Sequence, residues 1–235
     1  MPASTGHWID YYDSAHTLYV SERHRRLHFK VIADGIIAAI PSPDAAVLDY
    51  SCGEALDAGR VAHACGRLIL AEPAPTVRAR LTARFAGHPN IEVRSLDELA
   101  GLPPHSLDLV TVISVAQYLT PDELDATFAL VRRLLRPGGL LVLGDVLDPR
   151  VGMFADAWSL IRFGARAGFL IDAVLGLMRT ALSDYRYLRW RLGLTRYSEA
   201  AMLAKLAAAG FSARRAPENL GHNPWRMTFV ATPEA

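Results

Sequence analysis

Three groups of residues in this 235-residue chain have types and spacing suited to chemistry. The first is Val47-Leu48-Asp49-Tyr50-Ser51-Cys52-Gly53-Glu54-Ala55, where an apolar run fit for a central strand ends on a carboxylate and then turns around a glycine. Ser51, Cys52 and Gly53 are small enough for a ligand to approach the backbone. The second is Arg67-Leu68-Ile69-Leu70-Ala71-Glu72, another apolar run closed by an acid, one strand-helix-strand unit further on. At that distance Glu72 can accept hydrogen bonds from both hydroxyls of a ribose. The third group is scattered: His16, Ser114, Gln117, Tyr118 and His222, which could orient an acceptor or take a proton.

Charge decides which nucleotide-like ligand suits the first turn. A dinucleotide fingerprint needs glycine at its first, third and sixth positions, and those are Ser51, Gly53 and Leu56. Asp49 would also repel a pyrophosphate. A ligand carrying an ammonium and a sulfonium is attracted instead, which points to S-adenosylmethionine (SAM). An NAD-dependent oxidoreductase is disfavoured on both counts.

Val47 to Gly53 resembles the first motif of class I SAM-dependent methyltransferases, of the small-molecule, type 11/25-like kind, with Ser51 and Ala55 standing where the family more often has glycine. Leu107 to Ser114 resembles the fourth motif, and Leu135-Arg136-Pro137-Gly138-Gly139 before an apolar strand is a further family feature. The resemblance implies a Rossmann-like α/β fold with a seven-stranded, mostly parallel sheet, helices on both faces and a helical insertion after strand 5. It implies SAM as cofactor, S-adenosylhomocysteine (SAH) as product, and a site formed by Asp49, Ser51, Cys52, Gly53, Glu72 and Ser114. It places the adenine amino group at Asp97, with Leu96 or Glu98 as the alternatives if the register slips. Asp97 equally suits a plain helix cap. In the family an N-terminal segment covers the cofactor, so Tyr12, or else Tyr11, is expected to meet the SAM carboxylate.

These residues need positioning elements. Ser21 to Ile40 predicts an N-terminal helix capped by Ser21, Leu56 to Ala64 the helix after the turn, and Thr76 to Phe85 a helix whose Arg78, Arg80 and Arg84 form a solvated face. Ile91 to Ser95 and Leu107 to Ser114 predict strands. Thr120-Pro121-Asp122-Glu123 is a strong start for a helix to Leu135, followed by a strand from Leu140 to Val146. Ser198 to Ala209 predicts a last helix, and Phe211 to Ala216 with Trp225 to Ala231 a terminal strand pair. The whole reads as one domain: a lid over 1–40, a SAM-binding core over 45–147, an insertion over 148–196 and a closing unit over 197–235.

The insertion is apolar and rich in arginine, from Trp158 and Phe163 to Phe169 and Met178. Arg162 and Arg166 are its candidate acceptor-binding residues, with Gln117 and Tyr118 from the core. Residues 150–196 could instead cap the core, form a homodimer or touch a membrane surface. A hydroxyl acceptor favours a base, His222 or His16, whereas an amine needs only to be bound unprotonated. The expected reaction is O- or N-methylation of a small, hydrophobic acceptor; the alternative is a non-catalytic interaction protein using the insertion as a partner surface. A formal charge of +1 argues against nucleic acid as partner. Cys52 and Cys65 are the only cysteines, without clustered histidines, so neither a disulfide framework nor a metal site is expected, and a cytoplasmic setting fits.

Overall fold

The computed structural model describes residues 6–13, 19–182 and 194–234. Its centre is a seven-stranded sheet with β1 Ala46–Tyr50, β2 Arg67–Ala71, β3 Ile91–Arg94, β4 Leu107–Ile113, β5 Leu135–Val146, β6 Phe211–Arg215 and β7 Met227–Pro233. The spatial order is β3-β2-β1-β4-β5-β7-β6. The first five strands are parallel, and β7 pairs antiparallel with both β5 and β6. The chain reverses direction across the sheet between β1 and β4, which opens a crevice beyond their carboxyl ends.

Parallel strands covered on both faces read as continuous apolar runs, and Val47, Leu48, Leu68, Ile69, Leu109 and Val110 are all fully buried. One face carries α2 Glu22–Ala39, α3 Ala58–His63 and α4 Pro75–Arg84. The other carries α5 Pro121–Leu134 and α8 Glu199–Ala208. Ser21 caps α2 by accepting from His24 N at 3.3 Å. Thr120 and Glu123 form a reciprocal capping box on α5, the Thr120 N–H donating to the Glu123 carboxylate at 2.8 Å. Ser198 caps α8.

Among the boundaries that differ from the sequence reading, the last strand runs over Met227–Pro233 rather than Trp225 to Ala231, and two further differences have a local cause. Helix α3 starts at Ala58 rather than Leu56, because the turn keeps a left-handed backbone as far as Ala55. Arg136-Pro137-Gly138-Gly139 does not lie outside the fifth strand: Leu135 already pairs with Leu107, the register then shifts, and Leu140 pairs with Leu109. Those residues form an irregularity in which Pro137 and left-handed Gly138 face solvent, where no ladder bond is needed.

The N-terminal helix α1 Gly6–Asp13 lies on this frame: Trp8 is buried and stacks on Tyr118 at 5.7 Å, and Asp13 accepts from the N–H and hydroxyl of Thr76 at the start of α4. The insertion is a helical hairpin, α6 Met153–Ala167 and α7 Leu170–Leu182, turned at left-handed Gly168. Gly176 of α7 sits against Val20, where a methyl group would clash. No helix among the described residues is long and apolar enough to cross a membrane.

Candidate functional site

The turn after β1 holds a backbone that glycine would adopt freely. Ser51, Gly53 and Ala55 have φ of 56°, 59° and 40°. The two small substitutions therefore keep the turn's path and bear its strain, about 1 kcal/mol each. Ser51 Oγ is buried without a hydrogen-bond partner, so it returns nothing for that strain. Ser51→Gly should accordingly stabilise the fold by about 0.5–1 kcal/mol, a rise of a few degrees in Tm by calorimetry. Ala55→Gly should gain less, because it deletes a buried methyl group.

Behind the turn stand two buried carboxylates. Asp49 accepts from Thr111 Oγ1 at 2.8 Å and has no cation beside it among the described residues. Burial pushes its pKa up to about 7, the Thr111 hydrogen bond opposing and the Glu72 charge adding to the rise. Glu72 accepts from Gly53 N at 2.8 Å and Ala74 N at 2.9 Å, so it braces the turn against β2. Burial raises its pKa as well, against those two amide bonds. Cys52 lies between them, its thiol held protonated by burial and by both charges. Phe29, Ile32 and Ala33 of α2 line a small crevice together with Asp49, Cys52 and Ala55. Helix α2 thus lies over one side of the turn.

The arginines of α4 are not merely a solvated face. Arg78 donates to the carbonyls of Glu72 and Pro73, and Arg84 to that of Glu54 at 2.7 Å, tying both loops of the turn region to one helix. After β3, Leu96 is half-buried and Asp97 exposed at the start of a 3-10 turn over Asp97–Gly101. Asp97 makes no cap there; Ser95 and Glu98 form the reciprocal pair, Ser95 N donating to Glu98 at 2.6 Å. Asp97 is thereby left facing solvent.

A second cluster sits beyond the ends of β4 and β5. Ser114 donates to Asp145 at 2.7 Å, and both residues have left-handed φ, 60° and 65°. Asp145 also accepts from Arg226 Nη1 at 2.5 Å and Asn219 Nδ2 at 3.1 Å. Burial would raise the pKa of Asp145, but the Arg226 charge and the Ser114 and Asn219 bonds outweigh it and hold the group ionised. Arg226 reaches on to Asp156 of α6 at 3.5 Å.

Beside this network, three imidazoles meet. The ring of His222 lies 5.8 Å from His24 and 6.1 Å from His28, and stacks on Phe163 of α6 at 4.7 Å, while His24 stacks on Phe169 at 5.2 Å. Burial in this aromatic surround lowers all three pKa values, to about 4 for His24 and about 3 for His28. For His222 the Asp145 charge partly offsets burial. His24 accepts from Val20 N through Nδ1, which leaves its buried Nε2 unpartnered. No group of the described residues has a metal-binding arrangement.

The structure therefore gathers Asp49, Ser51, Cys52, Gly53 and Glu72 at one turn, and Ser114 and His222 at the neighbouring strand ends. Gln117 is buried with its side-chain oxygen unpartnered, and Tyr118 is half-buried against Trp8. Arg162 and Arg166 point to solvent from α6. Tyr12 lies on α1, one residue before the Asp13 tie to α4. His16 lies outside the described residues. Thr111, Asp145, Arg226, His24 and His28 escape the sequence reading; only Asp145, a third acid near the end of an apolar run, and the four-residue spacing of the two histidines on a helix offered a signal.

A methyltransferase-domain family model matches residues 47–139, the span from the turn to the start of β5. No curated protein matches the chain. Among solved structures, DhpI in complex with SAH aligns at TM-score 0.63 and 15% identity, covering 98% of this chain and 97% of that one. Magnesium protoporphyrin IX methyltransferase (ChlM) from Synechocystis PCC 6803 with bound SAH aligns at TM-score 0.59 and 16% identity, covering 97% and 93%. The N-methyltransferase NodS from Bradyrhizobium japonicum WM9 with SAH aligns at TM-score 0.57 and 16% identity, covering 98% and 99%. At such identities the structural likeness carries the fold. Joined to the methyltransferase-domain match over residues 47–139, it gives the chain the fold of the SAH-bound methyltransferases it aligns with.

Proposed function

We propose that this enzyme methylates a hydroxyl of a small, largely apolar acceptor bound between the turn after β1 and the His24, His28 and His222 cluster. The observation that carries this reading is His222, a neutral imidazole stacked on an aromatic ring and set beside the ionised Asp145. Its surround suits an apolar acceptor, and its unprotonated ring can take a proton at neutral pH. An amine would find the same neutral walls but would not need the base.

The residues at the turn fit SAM. Asp49 is a buried carboxylate lacking a cation among the described residues, and the methionine ammonium would supply one. Glu72 retains lone pairs for ribose hydroxyls beyond the amides it accepts. Leu96 and Asp97 would border the adenine, with the backbone of Ser51 to Gly53 beneath the methionine end and Tyr12 at its carboxylate. Bound SAM supplies an electrophilic methyl group on a positively charged sulfur. The chain's own task is then to align the acceptor, exclude water and receive the hydroxyl proton at His222, with Asp145 stabilising the imidazolium. Gln117 and Tyr118 would help to orient the acceptor.

Asp49→Ala and Glu72→Ala should each weaken SAM by about 1–3 kcal/mol. Calorimetric titration with SAM and SAH checks this, and unchanged affinity in a folded variant would remove that residue from the site. Asp49 adds a pH signature. Because the free carboxyl titrates near 7, pairing with the ammonium requires proton release below that pH. SAM affinity should fall as pH drops through about 7, and Asp49→Asn should flatten the dependence. The acceptor class is tested by transfer of labelled methyl from SAM to panels of hydrophobic phenols and amines.

A further inference from the structure

Every large apolar side chain exposed among the described residues, save Trp225, lies on the α6–α7 hairpin. Phe154 is 92% exposed, Ile171 75%, Trp158 60% and Met178 59%, with Leu170, Val174 and Leu175 beside Ile171 and Met178 on α7. The placement follows helical spacing. On α6, Asp156, Ser159 and Phe163 turn inward, to Arg226, to the interior and to the His222 ring, while Phe154 and Trp158 turn outward. On α7, Phe169 just before it and Ala173 and Gly176 within it are buried, while Ile171, Val174, Leu175 and Met178 are not. The hairpin therefore has two apolar faces, one roofing the histidine cluster and one uncovered.

The uncovered face carries fixed positive charge. Arg162 follows Trp158 by one helical turn, and Arg166 and Arg179 stand near the ends of the two helices. All three are exposed, and none takes part in an ion pair among the described residues. Asp156 and Asp172 are the hairpin's carboxylates, and Asp156 is turned toward Asn223 and Arg226. Apolar rings interleaved with arginine on an amphipathic face match the interfacial region of a bilayer with anionic headgroups. A second copy of the chain fits less well, since a two-fold contact would bring the same arginines against each other.

From this we infer that the outer face of the α6–α7 hairpin docks the enzyme on an anionic membrane surface. Phe154, Trp158 and Ile171 enter the headgroup boundary, and Arg162, Arg166 and Arg179 pair with lipid phosphates. The roof of the acceptor site then rests on the bilayer, so an amphiphilic acceptor dissolved there has a short path beneath it. The docking is independent of which atom is methylated.

The test is co-sedimentation of the full chain with vesicles of phosphatidylcholine alone or mixed with phosphatidylglycerol. Binding should require the anionic lipid, weaken with salt, and fall about a hundredfold or more in Phe154→Ser/Trp158→Ser/Ile171→Ser. These side chains already face water, so the variant should keep its fold and its SAM affinity, measured in parallel. Absence of wild-type binding overturns the inference, as does binding that the triple variant retains. A concentration-dependent dimer that the triple variant abolishes, without vesicle binding, assigns the face to a second copy. Failure to bind SAM would overturn the methyltransferase reading and leave the vesicle result standing.

Discussion

Replacing His222 by alanine should lower kcat for a hydroxyl acceptor by about 10²- to 10⁴-fold, the usual loss for removal of a positioned general base. The ring sits where a proton acceptor is useful: at the ends of β4 and β5, next to a carboxylate that Arg226, Ser114 and Asn219 keep ionised. Burial lowers the pKa of His222, and the Asp145 charge limits that fall. The neutral ring is thus the resting form across the neutral range, and at saturating SAM, where the titration of Asp49 no longer limits cofactor binding, kcat/KM for the acceptor should decline on the acid side as pH passes below the ordinary histidine value. The alanine variant should lose that acid limb while SAM affinity stays as in the wild type. Loss of the Phe163 stack alone would shift Tm and KM but leave the limb in place, so the pH profile separates chemistry from packing. With an amine acceptor the effect should shrink to a change in KM. An unaltered kcat and an unaltered pH profile with a hydroxyl acceptor would sink the assignment.

The two halves of this site differed in how much the sequence disclosed. The proposed cofactor side is local: Asp49 to Gly53 is one contiguous turn, and Glu72 follows the next strand, so strand periodicity and residue size place both. Strand existence was likewise legible, since a parallel strand buried on both faces is an unbroken apolar run. The proposed acceptor side is assembled from α2, β4, β5, α6 and the loop before β7, and no pairwise spacing joins His24 to His222 or Asp145 to Arg226. Periodicity marks α2 as amphipathic without showing that two histidines on its buried side face the insertion. The Arg78 and Arg84 bonds were hidden for the same reason, because carbonyl partners leave no trace in residue type. Ser51 and Ala55 show the converse. Their residue types depart from glycine, yet the left-handed backbone persists, because the bonds of Glu72 to Gly53 and of Arg84 to Glu54 hold the turn from outside.

Arg226→Ala should be the most damaging single change to stability, at about 3–5 kcal/mol, because it strips the counter-charge from a buried carboxylate. Arg226 precedes β7 and bridges the end of β5 at Asp145 to α6 at Asp156. Without it Asp145 keeps only the Ser114 and Asn219 hydrogen bonds, and burial, no longer opposed by the guanidinium, raises its pKa. The sign of the pH dependence then changes. In the wild type the carboxyl titrates below its ordinary range, so its contribution is complete above the unfolded value and is lost as pH falls through the folded one. In the variant the folded pKa lies above the unfolded value, and stability should fall as pH rises from about 4 toward neutrality. The gap between the two proteins should therefore be widest near neutral pH and narrow in acid, as read from denaturant unfolding across that range. Adding Asp145→Asn to the arginine variant should recover much of the loss by removing the stranded charge. If the double variant were no more stable than Arg226→Ala, packing of the guanidinium against α6, rather than its charge, would be what holds the insertion to the sheet.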